Sequence, residues 1–298
     1  MTKRSVIASA LLVAAPTVTA CGGWIDLDPA ATGGASSAGS SGVAGTGGGA
    51  ETPNSSFKIL VLTTALDYRH DSIPDCQRML SELGETPDDQ LPVGAQPGSR
   101  FTTHVATDDL ADFTAAGLKD YGMLFWCTPM GDVFSGNSRV EDSATAMAAL
   151  RDYVEGGGAW GGVHSATDFE KKGKFPWYTE TLVGGVLEDF DDDETPGTVQ
   201  VVPAYAEHPV MRGVPPTWPV RDEWFRLNRD VGEQPGFQVL ARLAEDDRPV
   251  VWIKELGPNN AGRMFYTIRG HAPSVYHEAE FRQLVLNGIL WATRRFDP

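Results

Sequence analysis

Gly157-Gly158-Ala159-Trp160-Gly161-Gly162-Val163-His164-Ser165-Ala166-Thr167-Asp168 is the stretch on which the fold turns. Gly156, Gly157 and Gly158 stop a helical pattern, and Ala159 to Val163 then reads as a strand buried on both faces. Polar residues follow at once, so the chain turns a corner at His164. Working backward, Arg139 to Glu155 is predicted as a helix with Ala144, Met147, Ala148, Leu150 and Val154 on its apolar side. Before it, Gly122 to Cys127, Phe101 to Val105 and Phe57 to Leu62 read as strands. Between the last two lies a helix carrying Cys76, Met79, Leu80 and Leu83, with Ser72 as its N-cap, Pro74 in its first turn and Gly84 as its stop. Strands alternating with helices predict βαβ units: an α/β fold with a doubly wound, mostly parallel sheet and helices on both faces. Working forward, Val199 to Val202, Trp224 to Leu227, Phe237 to Leu243, Val250 to Ile253 and Met264 to Ile268 make the C-terminal half strand-rich. A helix from Phe281 to Arg295 closes the chain.

In such a sheet the parallel strands end on one edge, and ligands bind outside those carboxyl ends. Three of the six His are expected there: His70 beyond the first strand, His164 at the corner and His271 just after Ile268. One such His is more often a structural hydrogen-bonding residue, whereas three at strand ends argue for a site.

The remaining sequence bounds the reading. Lys3 and Arg4 precede an apolar run from Val6 to Ala15, the layout of a secretory signal over residues 1–20, too short to span a bilayer as a mature helix. Val18-Thr19-Ala20-Cys21 resembles the bacterial lipobox, which makes Cys21 the expected site of lipidation. Gly22 after it, in place of Asp, favours the outer membrane, so the expected location is the cell envelope. Residues 21–56, rich in Gly, Ser and Ala, read as a flexible tether and leave 57–298 as one domain. Forty acidic against twenty-four basic residues give a formal charge of −16, which repels nucleic acid. Eight Trp and thirteen Phe suffice for a core, so wholesale disorder is excluded. Three Cys allow at most one intramolecular disulfide, and Cys76 and Cys127 are expected to be buried and inert. The acidic run Glu188 to Glu194 lacks the Gly and Glu positions of a calcium loop and is expected to be a solvated loop.

Five segments carry a family resemblance: Arg69-His70-Asp71-Ser72-Ile73-Pro74, the glycine-rich stretch quoted above, Glu207-His208-Pro209-Val210, Asp222-Glu223-Trp224, and Gly262 to His271. In this order they resemble the motifs of the trehalose-utilisation, ThuA-like domain, from about Phe57 to Ala292. The resemblance implies a flavodoxin-like fold related to class I glutamine amidotransferases, and a sugar-linked role. Relatives commonly carry a His-Pro pair after Leu-Val-Gly-Gly; here Val186-Leu187-Glu188-Asp189-Phe190 follows instead, which removes any metal-ligating part that His plays.

At the corner where that superfamily places a nucleophilic Cys stands His164, and Ser165 has no Gly-x-Ser-x-Gly context, so glutaminase chemistry is disfavoured. His and carboxylate chemistry remains. The preferred pair is His164 with Glu223, supported by His70 and by Asp168, which equally suits a cap. Arg69, Arg269, His271 and Asp222 are candidates for substrate binding. Trp177, with Trp160, Tyr178 and Trp224, is a candidate platform for a sugar face, although aromatics at this density more often pack a core. His70, His164 and His271 as ligands of a divalent metal stay open, although no local His-x-x-x-His spacing supports them and no cofactor is required. The expected function is acid/base hydrolysis or elimination on a sugar or oxidised sugar glycoside. The alternative is a non-catalytic carbohydrate-binding or scaffold lipoprotein.

Overall fold

The computed structural model describes residues 56–296 apart from 108, 109, 139, 141 and 171–173. The expected signal, Cys21, nearly all of the tether and the expected helix start at Arg139 lie outside the described residues. Eleven strands and three α-helices are described. In chain order they are β1 (Phe57–Leu62), α1 (Ile73–Gly84), β2 (Phe101–Ala106), β3 (Met123–Cys127), α2 (Ser143–Glu155), β4 (Ala159–Val163), β5 (Leu187–Phe190), β6 (Thr195–Val201), β7 (Thr217–Asp222), β8 (Phe225–Leu227), β9 (Phe237–Leu243), β10 (Pro249–Leu256), β11 (Gly262–Thr267) and α3 (Ala279–Ala292).

The chain is an α/β protein. Nine strands form one sheet in the order β2-β1-β3-β4-β11-β10-β9-β6-β7, while β5 and β8 make a separate antiparallel ribbon. From β2 to β11 all neighbours are parallel. From β11 to β7 all are antiparallel. The sheet is thus mixed, and the mostly parallel reading describes only its first half. The crossovers from β1 to β2 and from β3 to β4 move in opposite directions along the sheet, so right-handed connections place α1 and α2 on opposite faces. The chain of α3 packs beside α1 and against β4 and β11.

Continuous apolar runs hold this arrangement. Every residue of β3 and β4 is buried, and Trp126 lies 5.8 Å from Trp160 and 5.6 Å from Phe169, ring centre to ring centre. Burying each such side chain stabilises the fold by roughly 1.5–3 kcal/mol. Trp160, Tyr178 and Trp224 are wholly buried core residues, not a sugar platform. Asp142 caps α2 by accepting from the Ala144 and Thr145 amides.

Three local expectations need correction. Ser72 occupies the N-cap position of α1 without capping it; its hydroxyl donates to the Gly270 carbonyl at 3.1 Å. The acidic run is half strand, since Leu187–Phe190 pairs with β8. Asp191 then sits 2.9 Å from Arg248 Nη1 and 3.1 Å from Arg226 Nη2, which balances charge that the sequence alone leaves in solvent. Cys76 and Cys127 are buried but not free: they form a disulfide joining the first turn of α1 to the end of β3. No helix among the described residues is long and apolar enough to cross a membrane.

Candidate metal centre

His164 begins a short 3₁₀ turn directly after β4 and carries a positive φ of 51°. A left-handed non-glycine residue costs of order 1–3 kcal/mol and persists only where its surroundings hold it. Here Tyr266 on β11 donates its hydroxyl to the His164 carbonyl, and Phe225 on β8 packs its ring 4.3 Å from the imidazole. A side chain at Gly162 would meet Trp160 at 2.7 Å and Ala166 at 2.8 Å, so the corner needs that glycine.

Four segments deliver side chains to one point. His70 comes from the loop between β1 and α1, His164 from the corner after β4, His271 from the turn after β11 and Glu223 from the end of β7. The first three arrive because parallel strands share a carboxyl edge. Glu223 arrives differently. Four strand spacings, about 19 Å in a flat sheet, separate β7 from β11. Asp222 nevertheless accepts from the Gly270 amide at 3.0 Å, so the antiparallel half curls over the carboxyl edge.

The four ligating atoms lie within 4.8 Å of one another. His164 Nε2 is 3.1 Å from His70 Nε2, 3.3 Å from His271 Nδ1 and 3.3 Å from Glu223 Oε2. His271 Nδ1 is 3.2 Å from Glu223 Oε2. One nitrogen cannot hydrogen-bond three such neighbours with one proton. His164 Nδ1 lies 3.1 Å from the Ile268 carbonyl, an acceptor, which assigns its proton to Nδ1 and leaves the Nε2 lone pair facing the cluster. A tetrahedral ion with bonds of about 2.05 Å has ligand atoms about 3.3 Å apart; the three separations from His164 Nε2 and that between His271 and Glu223 are of this size, while the set as a whole spans up to 4.8 Å. Three imidazoles and a carboxylate are a donor set suited to zinc and its neighbours in the first transition row.

Burial alone would raise the Glu223 carboxyl, but its contacts with the His164 and His271 imidazoles outweigh it and hold the group at about 2. The Glu223 contact raises His271 against the opposing effect of burial. His271 Nε2 also lies 3.4 Å from Asp193, an exposed carboxylate at the end of the acidic run. Among the described residues no other group of three or more His, Cys or carboxylate side chains converges in this way.

The other expected site residues fall elsewhere. Arg269 is wholly buried, ion-paired with Asp222 at 3.3 Å and Glu278 at 2.8 Å, and so cannot touch a substrate. Asp222 is equally buried and binds backbone amides, not a ligand. Trp177 donates to Glu155 at 2.6 Å where α2 ends, at the amino edge of the sheet and the far end of β4 from His164. Asp168 is buried outside the four-residue set, on the side of Tyr178 and Tyr266, whose hydroxyls its charge helps to raise after the larger effect of burial. Arg69 is exposed on the His70 loop, its guanidinium 3.4 Å from the Thr63 carbonyl. His208 belongs to a different region: it caps the 3₁₀ turn Pro209–Met211 and packs on Trp291.

Sequence reasoning passed over Tyr68, Phe190, Asp193 and Phe225. Tyr68 is exposed and sets its ring edge-on to His70 at 4.8 Å; Phe190 is exposed and lies 6.5 Å from Phe225. Their only sequence signal is adjacency to motifs already noted.

Comparison with known proteins gives a consistent picture. A sequence model described as "ThuA: Trehalose utilisation" matches residues 58–292. A crystal structure of a putative ThuA-like protein from Bacteroides uniformis aligns with a TM-score of 0.60 and 20% identity over 79% of this chain and 91% of that one. A second, from Parabacteroides merdae, aligns with a TM-score of 0.58 and 16% identity over 81% and 92%. At these identities the likeness is one of fold. A search of curated proteins returns no match.

Proposed function

We propose that this chain, which belongs to the ThuA (trehalose utilisation) family, holds a divalent metal ion on His70, His164, Glu223 and His271 and acts there on a sugar or oxidised sugar glycoside by hydrolysis or elimination. The observation that carries the metal is the convergence of three imidazoles and a carboxylate, with three ligating atoms 3.1–3.3 Å from His164 Nε2 and all four within 4.8 Å. A divalent ion held by these four side chains would act as a Lewis acid toward a substrate oxygen that joins it as a further ligand. The chain's own residues do the rest. His70 and His164 are buried, while His271 and Glu223 retain some exposure, so substrate approaches over the latter two. Tyr68, exposed against His70, and Phe190, exposed near Phe225, would offer aromatic faces to a pyranose. Arg69, exposed beside His70, would meet hydroxyls, and Asp193, 3.4 Å from His271, would take and return a proton at the rim.

We further propose that the domain works outside the cytoplasm, lipid-anchored through Cys21. The Cys76–Cys127 disulfide supports this, because such bonds persist in oxidising compartments.

The test is metal analysis and calorimetry on the chelator-stripped protein, followed by turnover of a panel of disaccharides and 3-keto-glycosides. One zinc or cobalt ion per chain is expected, with His164→Ala abolishing tight binding and lowering turnover by about 10²-fold or more, the low end of what positioned proton transfer alone supplies. Turnover by a metal-free protein would leave His164 and Glu223 as a plain acid/base pair. Sugar binding without turnover would favour the carbohydrate-binding alternative.

A further inference from the structure

The buried carboxylate of Asp222 touches both of the solvent-facing members of the centre through the backbone. Its Oδ1 accepts from the amide of Glu223 at 3.0 Å and from the amide of His271 at 3.1 Å. Its Oδ2 accepts from the amide of Gly270 at 3.0 Å and lies 3.3 Å from Arg269 Nε. Three backbone amides thus donate to the carboxylate, and the Arg269 guanidinium adds an ion-pair contact. The residue has no exposed surface and so takes no part in binding a substrate.

The turn that Asp222 grips is also where the remaining two members are tied. The Ile268 carbonyl lies 3.1 Å from His164 Nδ1. The Gly270 carbonyl accepts from Ser72 Oγ at 3.1 Å and from Tyr276 Oη at 2.9 Å, and Ser72 stands two residues after His70. Gly270 itself has a φ of 126°, and a side chain there would meet the Tyr276 hydroxyl at 2.6 Å. Arg269, held by Glu278 and stacked 5.5 Å from the Phe281 ring, closes the network from beneath. A single carboxylate therefore joins the end of β7 to the turn that organises the other three segments.

We propose that Asp222, backed by Arg269, is the positioning residue of the centre, fixing His271 and Glu223 in register with His164 and His70. This rests on the metal reading above. Asn at 222 has nearly the same shape but presents an amide NH₂ to N–H donors at one end, so it loses the contacts of one oxygen. The outer partners of metal ligands are typically worth 10- to 100-fold in affinity.

The experiment is cobalt titration of the purified protein, read by calorimetry and by the visible ligand-field spectrum, alongside thermal unfolding. Asp222→Asn is expected to bind cobalt about 10- to 100-fold more weakly and to lose the intense tetrahedral bands. Asn287→Ser serves as the control: Asn287 holds α3 to the Val210 and Arg212 carbonyls, away from the centre. It should lower the melting temperature and leave cobalt affinity and spectrum unchanged, which separates positioning from stability. Should Asp222→Asn fail to fold, Arg269→Lys, which keeps the charge but shortens the fork, is expected to shift the spectrum in the same direction. A folded Asp222→Asn with wild-type affinity and spectrum, or an unshifted Arg269→Lys, overturns the proposal while leaving the metal reading intact. A wild-type protein that takes up no cobalt overturns both.

Discussion

Removing the Cys76–Cys127 bond should cost this domain a large share of its stability. The cysteines are separated by 51 positions. For a loop of that size the loss of unfolded-chain entropy is worth about 4 kcal/mol at 25 °C. In a domain of this length each kcal/mol moves the melting temperature by roughly 2–4 °C, so a fall of about 8–16 °C is expected. Both side chains are wholly buried, so substitution would add a cavity to the lost cross-link. The cleaner comparison is the oxidised protein against the same protein reduced while unfolded and refolded in reductant, followed by circular dichroism on heating. The bond pins the first turn of α1, and His70 lies in the loop that leads into that turn, its carbonyl accepting from the Ile73 amide at 3.3 Å. Reduction should therefore weaken metal binding as well. A melting shift below about 2 °C would refute the reasoning, as would two free thiols on alkylation of the denatured, unreduced protein.

Two further outcomes follow from other regions. Burial, helped by the charges of Arg263 and Arg212, lowers His208 to about 4, and its neutral Nδ1 accepts from the Val210 amide. The unfolded chain takes up that proton near pH 6.5 and the folded chain does not, so stability falls as pH drops between those values, by about 2 kcal/mol from pH 7 to pH 5; His208→Gln, unfolded in urea with chelator present, should lose that part of the acid sensitivity, and an unchanged difference between the two pH values would count against it. Cys21→Ser should release the protein from membranes, whereas continued membrane fractionation without fatty-acid labelling of the native chain would rule out the anchor.

Much of the first half of the sheet was legible because the strands that are buried on both faces must be apolar throughout. Met123 to Cys127 and Ala159 to Val163 allow few other readings, and helical crossovers between parallel strands then send His70 and His164 to one edge. The acidic ribbon Leu187–Phe190 was not legible, because its outward side chains look like loop and its strand character comes from β8. Nor was the disulfide: sequence distance says nothing of whether the first turn of α1 passes beside the end of β3.

Arg269 shows why the role of a site residue was harder to read than its place. An arginine just past a strand end, one residue from a glycine and two from His271, has the local sequence of a substrate-binding group. Its role is decided by Asp222, delivered by a distant antiparallel strand, and by Glu278, at the start of α3. A guanidinium met by two carboxylates and covered by Phe281 is neutralised and hidden, and its effect on chemistry can only be exerted through the turn it supports. The same curl of the sheet that buries Arg269 brings Glu223 to three imidazoles, so burial of the expected binding residue and completion of the four-residue centre are two consequences of one tertiary contact.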